Sequence, residues 1–456
     1  MTLSLTTYPP VISLTPRPEA QVAYALVSIG ALGGAGSAPL NWAVVADASR
    51  SMRIPIVSEE QFRDLVRGSG AHEVLVDGMP VWQLAGPVPE AIRALAPSAL
   101  EHTARALHNV IERLEDSDRL CLIACAEQAR RLAIGGGARR NELVAGIVAL
   151  RAVQLGEETD LAAGMRLALE DLGVAQGGRI ILLTDGFTRD PEACVALARV
   201  AADRGISVST LGLGGEFQYD LLLRLADLSG GRATFVRRAE QIPAAVSTEL
   251  DAARGAVART LTLEMRLARG VALRYATRLA PELTLLEWDS DPEGRQIRMR
   301  LGDLERGSSV RLLLEFLAPP EPPRPPPGGA RLRLATLTAR AGAAPACAAI
   351  LGHYAGAAAL PPAIHAAAGR ASIARLQRRA AAAVVAGDPT SAAGLLQLAA
   401  ERLRDLGEGE LALAALREAE ALAATGRDTG LGAREFTYAT RRLGLGEVEG
   451  RTGGLE

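Results

Sequence analysis

The sequence predicts a Rossmann-like α/β domain with a mostly parallel sheet, inserted in or followed by an antiparallel β-sandwich, and then an all-helical C-terminal region. Apolar runs alternate with helical stretches from Asn41 to about Arg254. The apolar period then changes to two, and helices that end at glycine fill the last part of the chain. The length of 456 residues allows roughly two to four hydrophobic cores.

The N-terminal segment, residues 1–36, contains the run "VAYALVSI" between turn signals, which predicts a strand over Val22 to Ile29. Residues 39–254 contain four bounded apolar runs, namely "WAVVAD", "DRLCLIACA", "GGRIILLTDG" and "GISVSTLGLG". Amphipathic helical stretches separate them. This alternation predicts parallel strands whose two faces are covered by helices.

Residues 256–340 contain alternating runs such as "TLTLEMRLA" and "SVRLLLEFLA", separated by glycine and proline turns, and predict the sandwich. The run "APPEPPRPPPGGA" is expected to be an exposed loop. Residues 355–445 predict antiparallel helical hairpins, and residues 446–456 form a tail. The arginines at 375, 378 and 379 fit the solvated face of an amphipathic helix better than a binding patch.

Composition excludes several classes of function. The chain has 52 acidic and 50 basic residues, so no overall charge attracts nucleic acid or an anionic membrane. It contains no lysine, which excludes a phosphate-binding P-loop at "GGAGSA". The four cysteines are expected to be small buried side chains. With no secretion signal and no apolar run that could span a bilayer, we expect a cytoplasmic protein.

Short oxygen-bearing side chains follow strands at three points of the α/β domain. Asp47, Ser49 and Ser51 end the first strand in "DASRS". Thr159 precedes a helix in "ETDLAAG", and Asp185 ends a strand in "LLTDG". Each feature alone is equally consistent with a helix cap or a turn. Loops after the carboxyl ends of strands share one crevice in an open α/β sheet, so the five side chains are expected to meet.

These motifs resemble the metal-ion-dependent adhesion site (MIDAS) of the von Willebrand factor A (vWA) family, in its bacterial cytoplasmic type. "DASRS" is similar to that family's Asp-x-Ser-x-Ser, Thr159 to its lone threonine and Asp185 to its third-loop aspartate. The resemblance covers residues 39–254. Relatives with flanking β segments build one sandwich from strands before and after the domain, which implies that Val22 to Ile29 pairs with later strands.

The resemblance implies direct metal binding by Ser49 and Ser51, binding by Thr159 directly or through water, and binding by Asp47 and Asp185 mainly through water. Hydroxyl and carboxylate ligands suit Mg²⁺ first, with Ca²⁺ or Mn²⁺ as alternatives. The implied partner is a protein that supplies an aspartate or glutamate to the metal. Kinase, phosphatase or ATPase associates are implied by the resemblance only. No nucleic acid or membrane partner is expected, and no catalytic residue.

The stretch 53–98 is longer than the family's usual link to its first helix. It is expected to hold a helix around Glu59 to Val66 and a strand around Val81 to Leu84, near the metal loop as a lid or a specificity surface. Met79 and Trp82 fit partner anchors or a small satellite core equally well.

Two alternative functions stay open. One is metal-assisted hydrolysis with a base from the 53–98 insertion, His72 or Glu73, with Asp77 also within possible reach. The other is a structural scaffold with a degenerate site, in which the guanidinium of Arg50 takes the place of the cation. An Arg50 side chain that points toward Glu157 or Glu158 would leave the metal position open.

Overall fold

A computed structural model of the chain describes most of its residues. The described residues are 2–33, 39–55, 63, 72–76, 79–83, 96–173, 177–214, 217–321, 329–342, 344–354, 356 and 359–445, with the backbone alone at 72–76 and 79–83. Apart from residue 63, the expected helix at 59–66 lies outside them, and so do the tail at 446–456 and most of the "GGAGSA" loop and of the proline-rich run.

The strands fall into an N-terminal, a central and a post-domain group. The first two groups are β1 (Thr2–Tyr8), β2 (Val11–Leu14), β3 (Gln21–Leu32), β4 (Asn41–Asp47), β5 (His72–Val76), β6 (Met79–Gln83), β7 (Arg119–Cys125), β8 (Ala129–Gly135), β9 (Arg179–Thr184), β10 (Ser207–Leu213) and β11 (Ala233–Val236). The third group is β12 (Ala256–Leu267), β13 (Ala272–Ala280), β14 (Thr284–Leu285), β15 (Asp289–Ser290), β16 (Gln296–Glu305), β17 (Ser309–Ala318), β18 (Arg331–Arg340) and β19 (Ala346–Tyr354).

The α-helices whose full extent is described fall into a central and a C-terminal group. The central helices are α1 (Ala99–Glu112), α2 (Arg140–Ala152), α3 (Leu161–Leu172), α4 (Pro191–Asp203), α5 (Tyr219–Ser229) and α6 (Ile242–Gly255). The C-terminal helices are α7 (Pro362–Val385), α8 (Pro389–Asp405), α9 (Gly409–Thr425) and α10 (Leu431–Arg441).

The central domain is a six-stranded sheet in the order β11-β10-β9-β4-β7-β8, and only the edge strand β8 is antiparallel to its neighbour. Alternate residues of β4 point to opposite faces: Trp42 and Val44 join one core, and Ala43 and Val45 join the other. Helices α1, α2 and α6 supply the first core, and α3, α4 and α5 the second. The predicted fold class is confirmed.

The sandwich is built from strands on both sides of the central domain. One sheet has the order β1-β3-β17-β13-β14 and the other β15-β16-β12-β18-β19-β2. Strand β3 pairs antiparallel with β17, with Val27 opposite Leu312. The structure extends the sandwich beyond the expected limit at residue 340, because β19 pairs with both β18 and β2. The stretch "ELTLLEW" contributes only the two-residue strand β14, Thr284–Leu285.

The C-terminal helices cover the outer face of the five-stranded sheet. Leu279 of β13 and Leu313 of β17 share an apolar cluster with Ile364 and Ala371 of α7. Neighbouring residues on β17, such as Leu312 and Leu314, point instead into the sandwich core. The sheet is therefore buried on both faces, which requires the nearly continuous apolar run of β17.

Buried arginines join the three parts. Arg441, in the last turn of α10, donates to Asp227 of α5 at 2.7 Å and to Glu282 beside the sandwich at 2.9 Å. Arg179 of β9 likewise donates to Glu249 of α6 at 3.0 Å and to Asp303 of β16 at 2.7 Å. Each guanidinium satisfies carboxylates from two elements, so its removal leaves both without their counter-charge.

Cysteine placement agrees with the expected small buried side chains at three positions and not at the fourth. Cys121, Cys125 and Cys194 are buried, whereas Cys347 on β19 is exposed, and all four are free thiols. β19 lies between β18 and β2, and the alternating burial along it places Cys347 on the outer side. No helix in the described parts of the chain has the length and apolar character needed to cross a membrane.

Replacing Arg441 by Met should destabilise the protein by about 3 kcal/mol, because Asp227 and Glu282 stay partly buried without their cation. Burial alone would raise the pKa of Asp227. The Arg441 guanidinium outweighs this effect, so the pKa of Asp227 lies below its ordinary value. The stability that the protein gains from the ionised Asp227 is present above the pKa of this carboxyl in the unfolded chain, about 4. It is lost as the pH falls through the lower pKa that the carboxyl has in the folded protein. The stability difference from wild type should therefore shrink below about pH 4.

Thermal unfolding at pH 7 and at acid pH measures both effects. The matched control is Arg442→Met, since Arg442 is the next residue and is exposed. Equal stability of the two variants at pH 7 would show that the Arg441 ion pairs do not hold the three parts together.

Candidate functional site

The five predicted site residues lie together at the carboxyl edge of the central sheet. Asp47 is the last residue of β4, Asp185 directly follows β9, and Thr159 lies in the loop before α3. Strands β4 and β9 are parallel neighbours, so their carboxyl ends meet at one edge. Asp160 caps α3 by accepting a hydrogen bond from the backbone N–H of Ala163 at 3.0 Å, which fixes the threonine beside the helix start.

The buried Asp47 carboxylate organises the site. Its Oδ1 accepts a hydrogen bond from the backbone N–H of Ser49 at 2.9 Å. Its Oδ2 accepts from the hydroxyl of Thr159 at 3.1 Å and from that of Thr184 at 2.6 Å. Burial raises the pKa of the Asp47 carboxyl, and these hydrogen bonds oppose the rise. Three chain segments are thus tied to one carboxylate by neutral donors.

A second chain of hydrogen bonds connects the two serines to Asp185. The Ser49 and Ser51 hydroxyl oxygens are 3.2 Å apart, and the Ser51 hydroxyl donates to Asp185 Oδ1 at 2.7 Å. Burial raises the pKa of Asp185 to about 6; the Ser51 hydrogen bond lowers it and the nearby Asp47 charge raises it. A hydroxyl group that donates its proton to a carboxylate still has lone pairs on its oxygen, and these can interact with a further group.

The site is open to solvent on one side. Ser49 and Thr159 are buried, at 1% and 4% exposure, whereas Ser51 is exposed and Asp185 is half-buried. Phe187, two residues after Asp185, is a large apolar side chain with 57% exposure. A ligand from outside can therefore approach Ser51 and Asp185 first.

Arg50 does not extend into the hydroxyl cluster. Its backbone N–H donates to the Glu157 carbonyl at 3.2 Å, and its Nη1 lies 3.5 Å from Glu157 Oε2. Both side chains are more than 70% exposed, at 74% and 72%, so the pair adds little stability. The guanidinium therefore points toward Glu157 and away from the hydroxyl cluster.

Arg53 fixes the point where the 53–98 insertion leaves the site. Its guanidinium donates to the carbonyls of Ala48 at 3.1 Å and Arg151 at 2.9 Å, and also to that of Val153. Pro55 and Ser98 form an isolated antiparallel bridge, so the insertion leaves and returns at one place. Strands β5 and β6 within it form an antiparallel hairpin.

Several residues proposed for the insertion cannot be placed at the site. Asp77 and Leu84 lie outside the described residues, and so do the side chains of His72, Glu73, Met79 and Trp82. Within the described part of the chain, no group of three or more His, Cys, Asp or Glu side chains is arranged to hold a metal. The oxygen cluster at the sheet edge contains only two carboxylates, and its other side-chain donors are hydroxyls.

Thr184 belongs to the site, although the sequence analysis did not select it. It is fully buried as the last residue of β9, and its hydroxyl accepts from the Gly186 N–H at 3.2 Å while donating to Asp47. The available signal was a hydroxyl at the end of an otherwise apolar strand, immediately before Asp185. Such a residue requires a partner when it is buried.

Comparison with solved structures identifies this architecture. A von Willebrand factor type A protein from Catenulispora acidiphila superposes with a TM-score of 0.72 at 15% identity, over 96% of each chain. The protein has a von Willebrand factor A fold. The ArnB paralog VWA2 from Sulfolobus acidocaldarius is also similar, with a TM-score of 0.53 at 14% identity, over 97% of this chain and 98% of the other. At these identities the likeness establishes the fold alone.

Sequence comparisons match smaller parts of the vWA-fold chain. Residues 362–446 match the family of Sll0103-like C-terminal alpha-helical domains. The uncharacterized protein sll0103 of Synechocystis is 29% identical over 142 residues, which are 30% of this chain and 33% of that protein. A UPF0353 protein of Mycolicibacterium gilvum is 27% identical over 187 residues, 34% of this chain and 55% of its own length. The matched residues thus make up about a third of the length of sll0103 and about half of the length of the UPF0353 protein.

Replacing Thr184 by Val should destabilise the vWA domain by about 1–3 kcal/mol, because the shape is kept while the buried Asp47 carboxylate loses a donor at 2.6 Å. Thermal unfolding in EDTA measures the loss. The control is Thr184→Ser, which keeps the hydroxyl. A valine variant as stable as the serine variant would contradict the role of this hydrogen bond.

Proposed function

We propose that the vWA domain binds a divalent cation through Asp47, Ser49, Ser51, Thr159 and Asp185 and presents it to an acidic residue of a partner protein. The observation that carries this proposal is the state of the Asp47 carboxylate. It is fully buried, and its partners within the described residues, Ser49, Thr159 and Thr184, are all neutral.

Three other buried carboxylates of this protein are paired with arginine. Asp118 binds Arg254 at 2.9 Å, Glu249 binds Arg179 at 3.0 Å, and the carboxylate of Glu315 is also bound by arginines. Glu418 has neutral donors from Thr429, as Asp47 has, but its carboxylate closes a local turn. At Asp47 a second carboxylate, that of Asp185, and four hydroxyls are close by, those of Ser49, Ser51, Thr159 and Thr184. A positive charge from outside the chain would compensate the negative charges of the two carboxylates.

The donor set suits a hard cation. Hydroxyl and carboxylate oxygens favour Mg²⁺, with Mn²⁺ or Ca²⁺ as alternatives, over metals that prefer sulfur or imidazole. When bound, the ion would supply a positive charge at the solvent-exposed side of the site. Ser49, Ser51 and Thr159 are neutral ligands, so they leave much of that charge available to a carboxylate from a partner.

This reading favours a protein-interaction module over an enzyme. In this proposal the two carboxylates and the hydroxyls that meet at the sheet edge act as ligands of the cation and orient each other. The orientation of Arg50 toward Glu157 also supports a working site rather than a degenerate one. Association with a kinase, phosphatase or ATPase remains part of the proposal and rests on the family resemblance.

Titration calorimetry with Mg²⁺ and Mn²⁺ should show binding to the wild type that weakens by about 10–100-fold in Asp185→Asn and Ser51→Ala. These changes remove a carboxylate charge and a hydroxyl oxygen that are 2.7 Å apart. The matched control is Ser308→Ala, which alters an exposed hydroxyl in the sandwich. A wild type that binds neither ion and gains no thermal stability with Mg²⁺ over EDTA would refute the proposal.

Replacing Arg50 by Ala should change the metal affinity by less than about twofold, since its guanidinium lies at Glu157 and an exposed pair contributes little. The same calorimetric titration measures this. Glu157→Gln provides the complementary variant, because it releases the guanidinium from its partner. A large gain in affinity in the alanine variant would show that Arg50 competes with the ion.

A further inference from the structure

A cleft of about 960 Å³ lies between the outer face of the five-stranded sheet and helix α7. None of the residues that line this cleft belongs to the oxygen cluster at the edge of the central sheet. Its polar and aromatic walls include Arg274, Tyr275 and Trp288 on the sandwich side and Arg375, Arg378 and Arg379 on α7. Arg378 and Arg379 are exposed, as expected for a solvated helix face, whereas Arg375 is half-buried against Glu315, which corrects that expectation for this one residue.

One buried carboxylate orients two of the arginines that line the cleft. Glu315 of β17 is 3% exposed and binds Arg274 at 2.9 Å and Arg375 at 2.6 Å. The same two guanidinium groups lie over the ring of Tyr275, at 4.9 Å for Arg375 and 5.8 Å for Arg274. Both arginines are thus oriented before any ligand arrives, which lowers the entropy lost on binding.

The cleft carries excess positive charge. Four arginines and two glutamates line it, so two positive charges are in excess. Glu315 is shared by two arginines, and Glu287 lies 3.2 Å from Arg378. The chain as a whole has a net charge of −2, so this local excess is not a property of the general surface.

We propose that this cleft is a docking site for an acidic peptide segment of a partner protein, separate from the metal-dependent contact. Arginine, tyrosine and tryptophan are the residues that contribute most binding energy in protein interfaces. Here they surround an apolar floor that includes Leu285 and Leu376. The matching ligand has carboxylates spaced by apolar or aromatic side chains.

The exposure of the arginines favours a peptide over a small enclosed ligand. The side chains of Arg274 and Arg378 are 43% and 58% exposed, so the cationic rim is accessible from solvent. Pockets for small molecules enclose most of the ligand surface, whereas an extended segment can lie along an open cleft.

Fluorescence anisotropy with a short labelled peptide, in which glutamates alternate with leucine and phenylalanine, tests this proposal. EDTA is present throughout, so that the metal site contributes nothing. The test variant is Arg379→Glu, because Arg379 is exposed and its reversal leaves the Glu315 centre intact. The matched control is Arg417→Glu, an exposed arginine of α9 outside the cleft. Circular dichroism checks that both variants fold.

The peptide should bind the wild type and Arg417→Glu alike, and about tenfold more weakly to Arg379→Glu. Its affinity should fall as salt is raised, and glutamine or lysine versions should not bind. Equal weakening in both variants, or no binding of the acidic peptide, would refute the proposal. ATP that binds in an Arg379-dependent manner while the peptide does not would assign the cleft to small anionic ligands instead.

Discussion

The buried carboxylate of Asp47 is the constraint on which the functional edge of this protein depends. It sits at the end of β4, the strand that pairs with both β7 and β9, so the sheet fixes its position from two sides. It then orders the neighbouring segments through Thr159, Thr184 and the backbone of Ser49. Burying a carboxylate against neutral donors costs free energy, and a bound cation would recover it. Binding of the proposed cation would therefore be linked to stability at this residue.

The way the central domain is inserted explains how that edge is held. The chain enters the domain from β3, in the five-stranded sheet, and leaves it into β12, in the six-stranded sheet. Both layers of the sandwich thus connect directly to the vWA domain. Arg179 and Arg441 add buried ion pairs across the junction, to Asp303 and to Asp227 with Glu282. These contacts place the C-terminal helices, the sandwich and the vWA domain in one defined arrangement, with β3 completing the sheet that the helices cover.

Residue patterns in the sequence predicted much of this structure. They failed for features that depend on contacts between residues far apart in the chain. Asp47, Ser49, Ser51, Thr159 and Asp185 were selected because each follows the type of segment that reaches the sheet edge, and the structure brings them together. Thr184 was missed because its role depends on a partner 137 positions away. Strand β8 was missed because its burial is slight and irregular, as an edge strand allows. The position of Arg375 could not be predicted, since helical period does not show which face meets another domain.

Asp47 and Glu315 are both buried carboxylates, but the groups that surround their charges differ. Glu315 is neutralised within the chain by Arg274 and Arg375, and the arginines that it orients leave a net positive surface. Asp47 is met by hydroxyls and a backbone N–H, so its buried charge has no cationic partner among the described residues, and the half-buried Asp185 lies beside it. In a chain without lysine, arginine supplies every permanent side-chain cation, and it is absent from the hydrogen bonds of Asp47 within the described residues. The cleft would then select acidic groups directly, and the sheet edge would do so through the proposed cation.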